Sequence, residues 1–284
     1  MKFSRPESSL YAPAQQDPLA GLSATTHLGI GAHADDLEIL AFPGISACYR
    51  HPSHRFSGVV VTDGGGAPRS GSFANTSDSE MVAIRREEQH RAADLGHYAS
   101  VIQLGYPTPE IRKTDQSKLI NDLVQILKTA QPQILYLHNP VDRHETHLAV
   151  LLACLEALKQ MPEESRPREI YGCEVWGDLD WVPAYRILRL PCSAPEDFGP
   201  SLLRCFASQV DGGKRYDRAA QGRRRAQATF GDAYSPDQAD EVVLALDLKP
   251  LLQPGVSLSS FVSSLTEEFR AQAVSRAQKV EQGK

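Results

Sequence analysis

The sequence predicts an α/β fold: a mainly parallel sheet flanked by helices, with a smaller extension at the C-terminal end. Two patterns carry that expectation. Short β-rich runs alternate with longer helical patterns between residues 27 and 160, the rhythm of βαβ units. Polar, charge-dense segments stand just past three of the strand runs, where open parallel sheets bind their ligands. With 284 residues, 41% of them hydrophobic and 23% charged, the chain is long enough to bury a sizeable core.

Taken in order, residues 1–25 form a polar arm containing Pro6, Pro13 and Pro18. The arm is expected to be disordered or to pack on a neighbouring subunit. Strands are expected at 27–33, 57–62, 100–104 and 134–138. Helices are expected at 37–49, 79–96, 116–130 and 145–160, with Pro43-Gly44 breaking or delaying the first and Gly96 capping the second. From Arg168 the pattern shifts to paired strands at 169–175 and 185–190, flanking a loop with Trp176, Asp178, Asp180 and Trp181. Helices at 195–210 and 214–230, a strand at 241–248 and a terminal amphipathic helix at 258–282 complete the chain. The expected organisation is an arm (1–25), a Rossmann-like domain (26–210) and a helical and strand extension (211–284) packed on that domain.

Composition narrows the functional classes. The net charge of −5 supplies no general basic field for nucleic acid. Five dispersed cysteines without a CxxC pair argue for reduced thiols in a cytoplasm. The N-terminus lacks the apolar core of a signal peptide, and no apolar run reaches membrane-spanning length. The expectation is a cytoplasmic protein acting on a small molecule, without nucleic acid or a membrane span, and open to homo-oligomerisation.

The densest chemistry lies in Gly31-Ala32-His33-Ala34-Asp35-Asp36-Leu37-Glu38, one imidazole and three carboxylates where an apolar strand runs out. Adjacent carboxylates at such a turn repel each other unless a cation or proton lies between them. A second cluster, His138-Asn139-Pro140-Val141-Asp142-Arg143-His144-Glu145-Thr146-His147, leads into an apolar helix. His144 and His147 stand three apart, as do His33 and Asp36, so each pair can face one way. A catalytic zinc takes three protein ligands and leaves a position to water. Two such pairs supply three ligands and one spare group.

These two clusters resemble the motifs of the PIG-L/LmbE-like zinc-dependent de-N-acetylases, which remove acetyl from N-acetylglucosamine units. The first family motif, Ala-His-Pro-Asp-Asp with a Glu two residues on, is similar to Ala32–Glu38. The second, Asp-x-His-x-x-His, is similar to Asp142–His147. Thr62-Asp63-Gly64, Arg85-x-x-Glu88 and Ser208-Gln209 are weaker echoes. The resemblance implies His33, Asp36 and His147 as ligands of Zn2+ or another divalent ion, and Asp35 as general base. It also implies His144, oriented by Asp142, as a protonated stabiliser of the oxyanion, and Arg85 as a contact to a substrate hydroxyl or acidic group. The substrate would be an N-acetylated amino sugar or its conjugate. Departures from the motifs are Ala34 for Pro, Thr146 for an Asp and Phe206 for a His.

Four further features are weighed from the residues. Gly29-Ile30-Gly31-Ala32-His33-Ala34 fits a dinucleotide fingerprint, but Asp35 and Asp36 would repel a pyrophosphate there, and no acidic ribose partner follows at the usual distance. The loop Asp63-Gly64-Gly65-Gly66 is either a connection or a substrate-facing loop, with Asp63 as the binding candidate. Trp176 and Trp181 offer faces on which a sugar can stack. Arg223-Arg224-Arg225, with the Lys214-Arg215 turn, is a basic patch that reads as a solvated face or as an anion site. The alternative to a hydrolase is a catalytically silent sugar- or nucleotide-binding protein on the same fold.

Overall fold

A computed structural model describes residues 1–192 and 194–283. Eight strands form one sheet among the described residues: β1 (Ser9–Tyr11), β2 (His27–Gly31), β3 (Phe56–Thr62), β4 (Ser100–Tyr106), β5 (Ile134–His138), β6 (Glu169–Cys173), β7 (Ile187–Cys192) and β8 (Glu241–Asp247). Their order is β1-β4-β3-β2-β5-β6-β8-β7. The central pairs β4·β3, β3·β2, β2·β5 and β5·β6 are parallel, and the outer pairs are antiparallel. The chain runs from β2 outward to β4, then returns to the other side of β2 as β5. That reversal places the switch point between β2 and β5, where open α/β sheets form ligand crevices.

The helices are α1 (Pro18–Ser23), α2 (Leu37–Leu40), α3 (Phe42–Cys48), α4 (Asp78–Gly96), α5 (Thr108–Ile111), α6 (Ser117–Ala130), α7 (Glu145–Lys159), α8 (Phe198–Arg204), α9 (Ala207–Val210), α10 (Tyr216–Phe230) and α11 (Leu258–Glu281). Alternation along the strands builds two cores. Leu28, Ile30, Val59 and Val61 face the cluster containing α6 and α7, while Phe56, Val60 and Val101 face the one containing α2, α3 and α8. Among the described residues no helix is long and apolar enough to cross a membrane.

Four details depart from the expectations. The arm is ordered on its own domain: β1 pairs antiparallel with β4, and Ser4 donates from its backbone N and its Oγ to the buried Asp122. The strands β6 and β7 are not partners, because β8 is inserted between them. The expected helices at 37–49 and 195–210 each break in two, the first at Ala41, just before Pro43. The left-handed residue that ends α4 is His97 (φ 54°), while Gly96 leaves room for the Tyr98 ring.

Glycines let α2 lie close to the sheet. A Cβ on Gly58 would stand 2.5 Å from Leu37 Cδ1, and one on Gly31 would stand 2.8 Å from Asp36 Cβ. The G-x-G pattern of β2 thus serves helix–sheet approach, and this approach brings the start of α2 onto the strand end. Gly58→Val should push Leu37 off the sheet and destabilise the fold by about 1–3 kcal/mol, read as a lower urea midpoint with an unchanged slope.

Candidate metal centre and active-site cleft

Beyond β2 the strand end is pinned on both sides. The Ala32 carbonyl accepts from Thr62 N and Thr62 Oγ1, each at 2.8 Å, and Ala32 N donates to His138 Nε2 at 2.9 Å. The chain then turns sharply. Asp36 Oδ2 accepts from His33 N at 2.7 Å, and Asp35 adopts φ 91°, a left-handed conformation that favours glycine.

This turn meets the N-terminus of α7. His33 Nδ1, Asp36 Oδ2 and His147 Nε2 form a triangle with sides of 3.1, 3.3 and 3.4 Å. Asp142 Oδ2 lies 3.1 Å from His147 Nδ1, so the ring presents its Nε2 to the triangle. Nε2, His33 Nδ1 and Asp36 Oδ2 thus converge on one point, an arrangement that suits a cation. Donor atoms about 2.0–2.1 Å from a tetrahedral zinc are separated by about 3.3–3.4 Å, so the triangle fits a divalent metal. The Asp142–His147 contact is the kind of outer carboxylate that fixes a ligating imidazole.

His138 borders the same group, 3.4 Å from Asp36 Oδ2. Its Nε2 already accepts the Ala32 N–H, so its lone pair is not available to a metal. Burial pushes its pKa down to about 4, making it a neutral buttress beneath the triangle. The place of Asp142 corrects an expectation: its Oδ1 accepts from the backbone N of His144 at 2.9 Å, but its other oxygen serves His147. The His144 imidazole is not oriented by Asp142, and burial pushes its pKa down to about 4. His144 is therefore a neutral imidazole rather than the protonated group expected, and its ring meets His33 edge-on at 4.9 Å.

The adjacent carboxylates have opposite surroundings. Burial opposes the ionisation of Asp36, yet the imidazoles of His147, His138 and His33 hold it well below the usual carboxylate range. Burial pushes Asp35 up to about 6, against the pull of Arg85, whose Nη2 donates to Asp35 Oδ2 at 3.2 Å. Arg85 is only 3% exposed and also donates to the Ala34 carbonyl. It borders the cleft while its guanidinium contacts Asp35.

A cleft of about 380 Å³ opens over this group. Trp176, 39% exposed, forms part of its wall, with Tyr216 edge-on to it and Lys214 Nζ 5.2 Å from its ring centre. Asp63 is not part of the wall: its Oδ1 accepts from Gly65 N at 3.0 Å and shapes the loop that brings Gly64 and Gly66 to the rim. Trp181 packs against Phe269 of α11 instead. The arginine run is consumed internally, with Arg223 on Asp178, Arg224 on Glu241 and Arg225 on Glu196. Lys214 and Tyr216, from the turn at Asp211–Tyr216, reach the cleft, and so does Arg112, which follows Pro107 in a segment with no local signal.

The loop bearing Trp176 is anchored by Glu174, a buried carboxylate that accepts from Leu179 N at 2.5 Å and from Gln227 Nε2 at 2.6 Å. Burial pushes its pKa from 4.5 up to about 7. An acid with a raised folded pKa stabilises the fold fully below its unfolded value and loses that contribution as pH rises through the folded one. Glu174→Gln should therefore gain thermal stability relative to the unaltered protein as pH rises from about 4.5 to about 7, read as the difference in Tm. Asp142→Ala should weaken metal binding about 10–100-fold, read by competition with a chromophoric chelator.

Residues 28–158 match the family model described as PIG-L: GlcNAc-PI de-N-acetylase. Three solved structures share the fold and 82% of this chain. A conserved protein of Thermus thermophilus is 17% identical with a TM-score of 0.60 and 99% of its own length covered. The 4-carboxy-2-hydroxymuconate hydratase of Pseudomonas putida is 17% identical, with a TM-score of 0.60 and 100% covered. The N,N'-diacetylchitobiose deacetylase of Pyrococcus horikoshii is 18% identical, with a TM-score of 0.58 and 88% covered. Both charged clusters lie inside the segment that matches this family model.

Proposed function

We propose that this protein is a metal-dependent hydrolase that removes the acetyl group from an N-acetylated amino sugar of the N-acetylglucosamine type, or from its conjugate. A hydratase shares the fold, so the reading rests on side chains rather than on architecture. The observation that carries it is the division of labour between Asp35 and Asp36. Asp36 faces three imidazoles, while Asp35, one residue away, stands outside the triangle on the cleft wall.

A metal held by His33, Asp36 and His147 would polarise the amide carbonyl and lower the pKa of water to about 7. Asp35 takes the proton of the attacking water. Arg85 occupies its Oδ2, which leaves Oδ1 to accept that proton and later to pass it to the departing amine nitrogen as the C–N bond breaks. The products are acetate and the free amino sugar. His144, half-buried with its pKa pushed down to about 4, offers an N–H to the oxyanion from the cleft wall, a kind of contact worth about 3–4 kcal/mol where one donor has been removed from other enzymes. Trp176 offers a flat apolar surface to a sugar ring.

Acetate release from a panel of N-acetylglucosamine conjugates, with metal quantified in the same sample, tests the reading. Activity should vanish with a chelator and return with metal. Asp35→Asn should lower kcat by at least about 10²-fold while leaving bound metal in place. Release that survives both the chelator and Asp35→Asn would leave a sugar-binding protein as the better description.

A further inference from the structure

We infer that Arg85 is a positioning residue whose guanidinium, locked from behind by Glu88 and Ser208, holds the Asp35 turn and aims its carboxylate; this rests on the reading of Asp35 as the general base. The turn requires outside support. A non-glycine residue at φ 91° is strained by about 1–3 kcal/mol and persists only where its surroundings over-determine it. Arg85 supplies that support through one nitrogen. Its Nη2 donates both to the Ala34 carbonyl, on the peptide preceding Asp35, and to Asp35 Oδ2 at 3.2 Å. The backbone and side chain of the turn are thereby tied to the same point on α4.

The other end of the guanidinium is equally committed. Nη1 donates to Ser208 Oγ at 3.3 Å and lies 3.7 Å from Glu88 Oε2. Glu88 is fully buried and accepts from Ser208 N at 2.6 Å and from Ser208 Oγ at 2.7 Å. The single hydroxyl proton of Ser208 is thus given to Glu88, and its oxygen is free to accept from Arg85. The ring of Phe206 lies 5.9 Å from Arg85 Cζ, and Gly64, at φ 75°, packs against the arginine stem. Both terminal nitrogens of Arg85 are thus committed to protein partners, although its side chain borders the cleft. Ser208 and Phe206 lie beyond the family-matched segment 28–158, so the later part of the chain sets the geometry of a turn in the first part.

Three roles give different readouts. A substrate contact would raise KM, a general structural role would lower Tm and bound metal, and a positioning role lowers kcat alone. Arg85→Lys keeps the charge but not the planar fork, and Ser208→Ala removes one link without unburying a charge. Both are to be studied as full-length, metal-loaded protein. Arg85→Lys should lower kcat about 10²-fold, the scale of a misplaced catalytic group, and Ser208→Ala about tenfold. KM should stay within about twofold, with bound metal unchanged. Arg85→Lys should lose little further activity in an Asp35→Asn background. In both variants hydrogen–deuterium exchange of residues 32–36 should quicken while that of α7 stays the same. A raised KM with intact kcat, or loss of metal and Tm in step with activity, overturns the inference. Exchange at 32–36 that does not change also overturns it, and this readout needs no substrate. If the unaltered protein releases no acetate, the proposed function fails on its own, and the exchange measurement still decides the role of Arg85.

Discussion

Two buried carboxylates on consecutive residues cannot both ionise side by side without compensating charge, and the site is organised around that constraint. Asp35 and Asp36 are both buried. The left-handed conformation of Asp35 sends the two side chains to different partners: Asp36 to His33, His138 and His147, and Asp35 to Arg85. The imidazole side can hold a divalent cation through ring nitrogens, while the guanidinium side cannot. Metal chemistry and proton transfer are thereby assigned to neighbouring residues by their surroundings alone, in the way that paired acids are made to differ elsewhere.

That separation depends on backbone approach. The β2 strand carries side chains on one face and glycines, Gly29 and Gly31, on the other, so α2 starts almost on the sheet. A bulkier residue at position 31 would move Asp36 away from His33 and open the triangle. The partner cluster arrives from β5 because the chain reverses direction between β2 and β5. His138, at the last position of β5, receives the Ala32 N–H and joins the two strand ends at the point where ordinary ladder pairing stops. The switch point is therefore a hydrogen-bonded seam, with the ligand triangle immediately beyond it.

Much of this was legible because it is local. The charged runs at 33–38 and 142–147 follow strand patterns and precede helical ones, and both clusters stand at the carboxyl ends of parallel strands. The parallel order of β2 to β6 follows from the same rhythm. What was not legible depends on long-range pairing. Nothing in 169–192 indicates that β8 will insert between β6 and β7, because both are short apolar runs that could pair directly. The partner of Asp142 is His147 rather than the nearer His144 because the helix start points His147 inward. Arg223-Arg224-Arg225 resembles a free cationic face until its partners, Asp178, Glu241 and Glu196, arrive from three separate segments. The N-terminal arm carries only three strand residues, too few to register as a period-2 pattern.

The two halves of the chain contribute different things to one cleft. The triangle, Asp35 and Arg85 all come from the segment that matches the family. The surfaces a substrate would meet away from the reacting bond, Trp176, Lys214 and Tyr216, come from beyond it. These surfaces rest on loops whose anchors are buried and specific: Glu174 holds the Trp176 loop to α10, and Arg223 donates to the Val175 carbonyl. The Trp176 loop also reaches the outer carboxylate of the site, since Trp176 N donates to Asp142 Oδ2 at 3.1 Å. Ser208 reaches further, because its hydroxyl stands behind Arg85 and thus behind the Asp35 turn. Variation in the later half can therefore alter what the cleft admits only where it leaves these contacts to Arg85 and Asp142 in place.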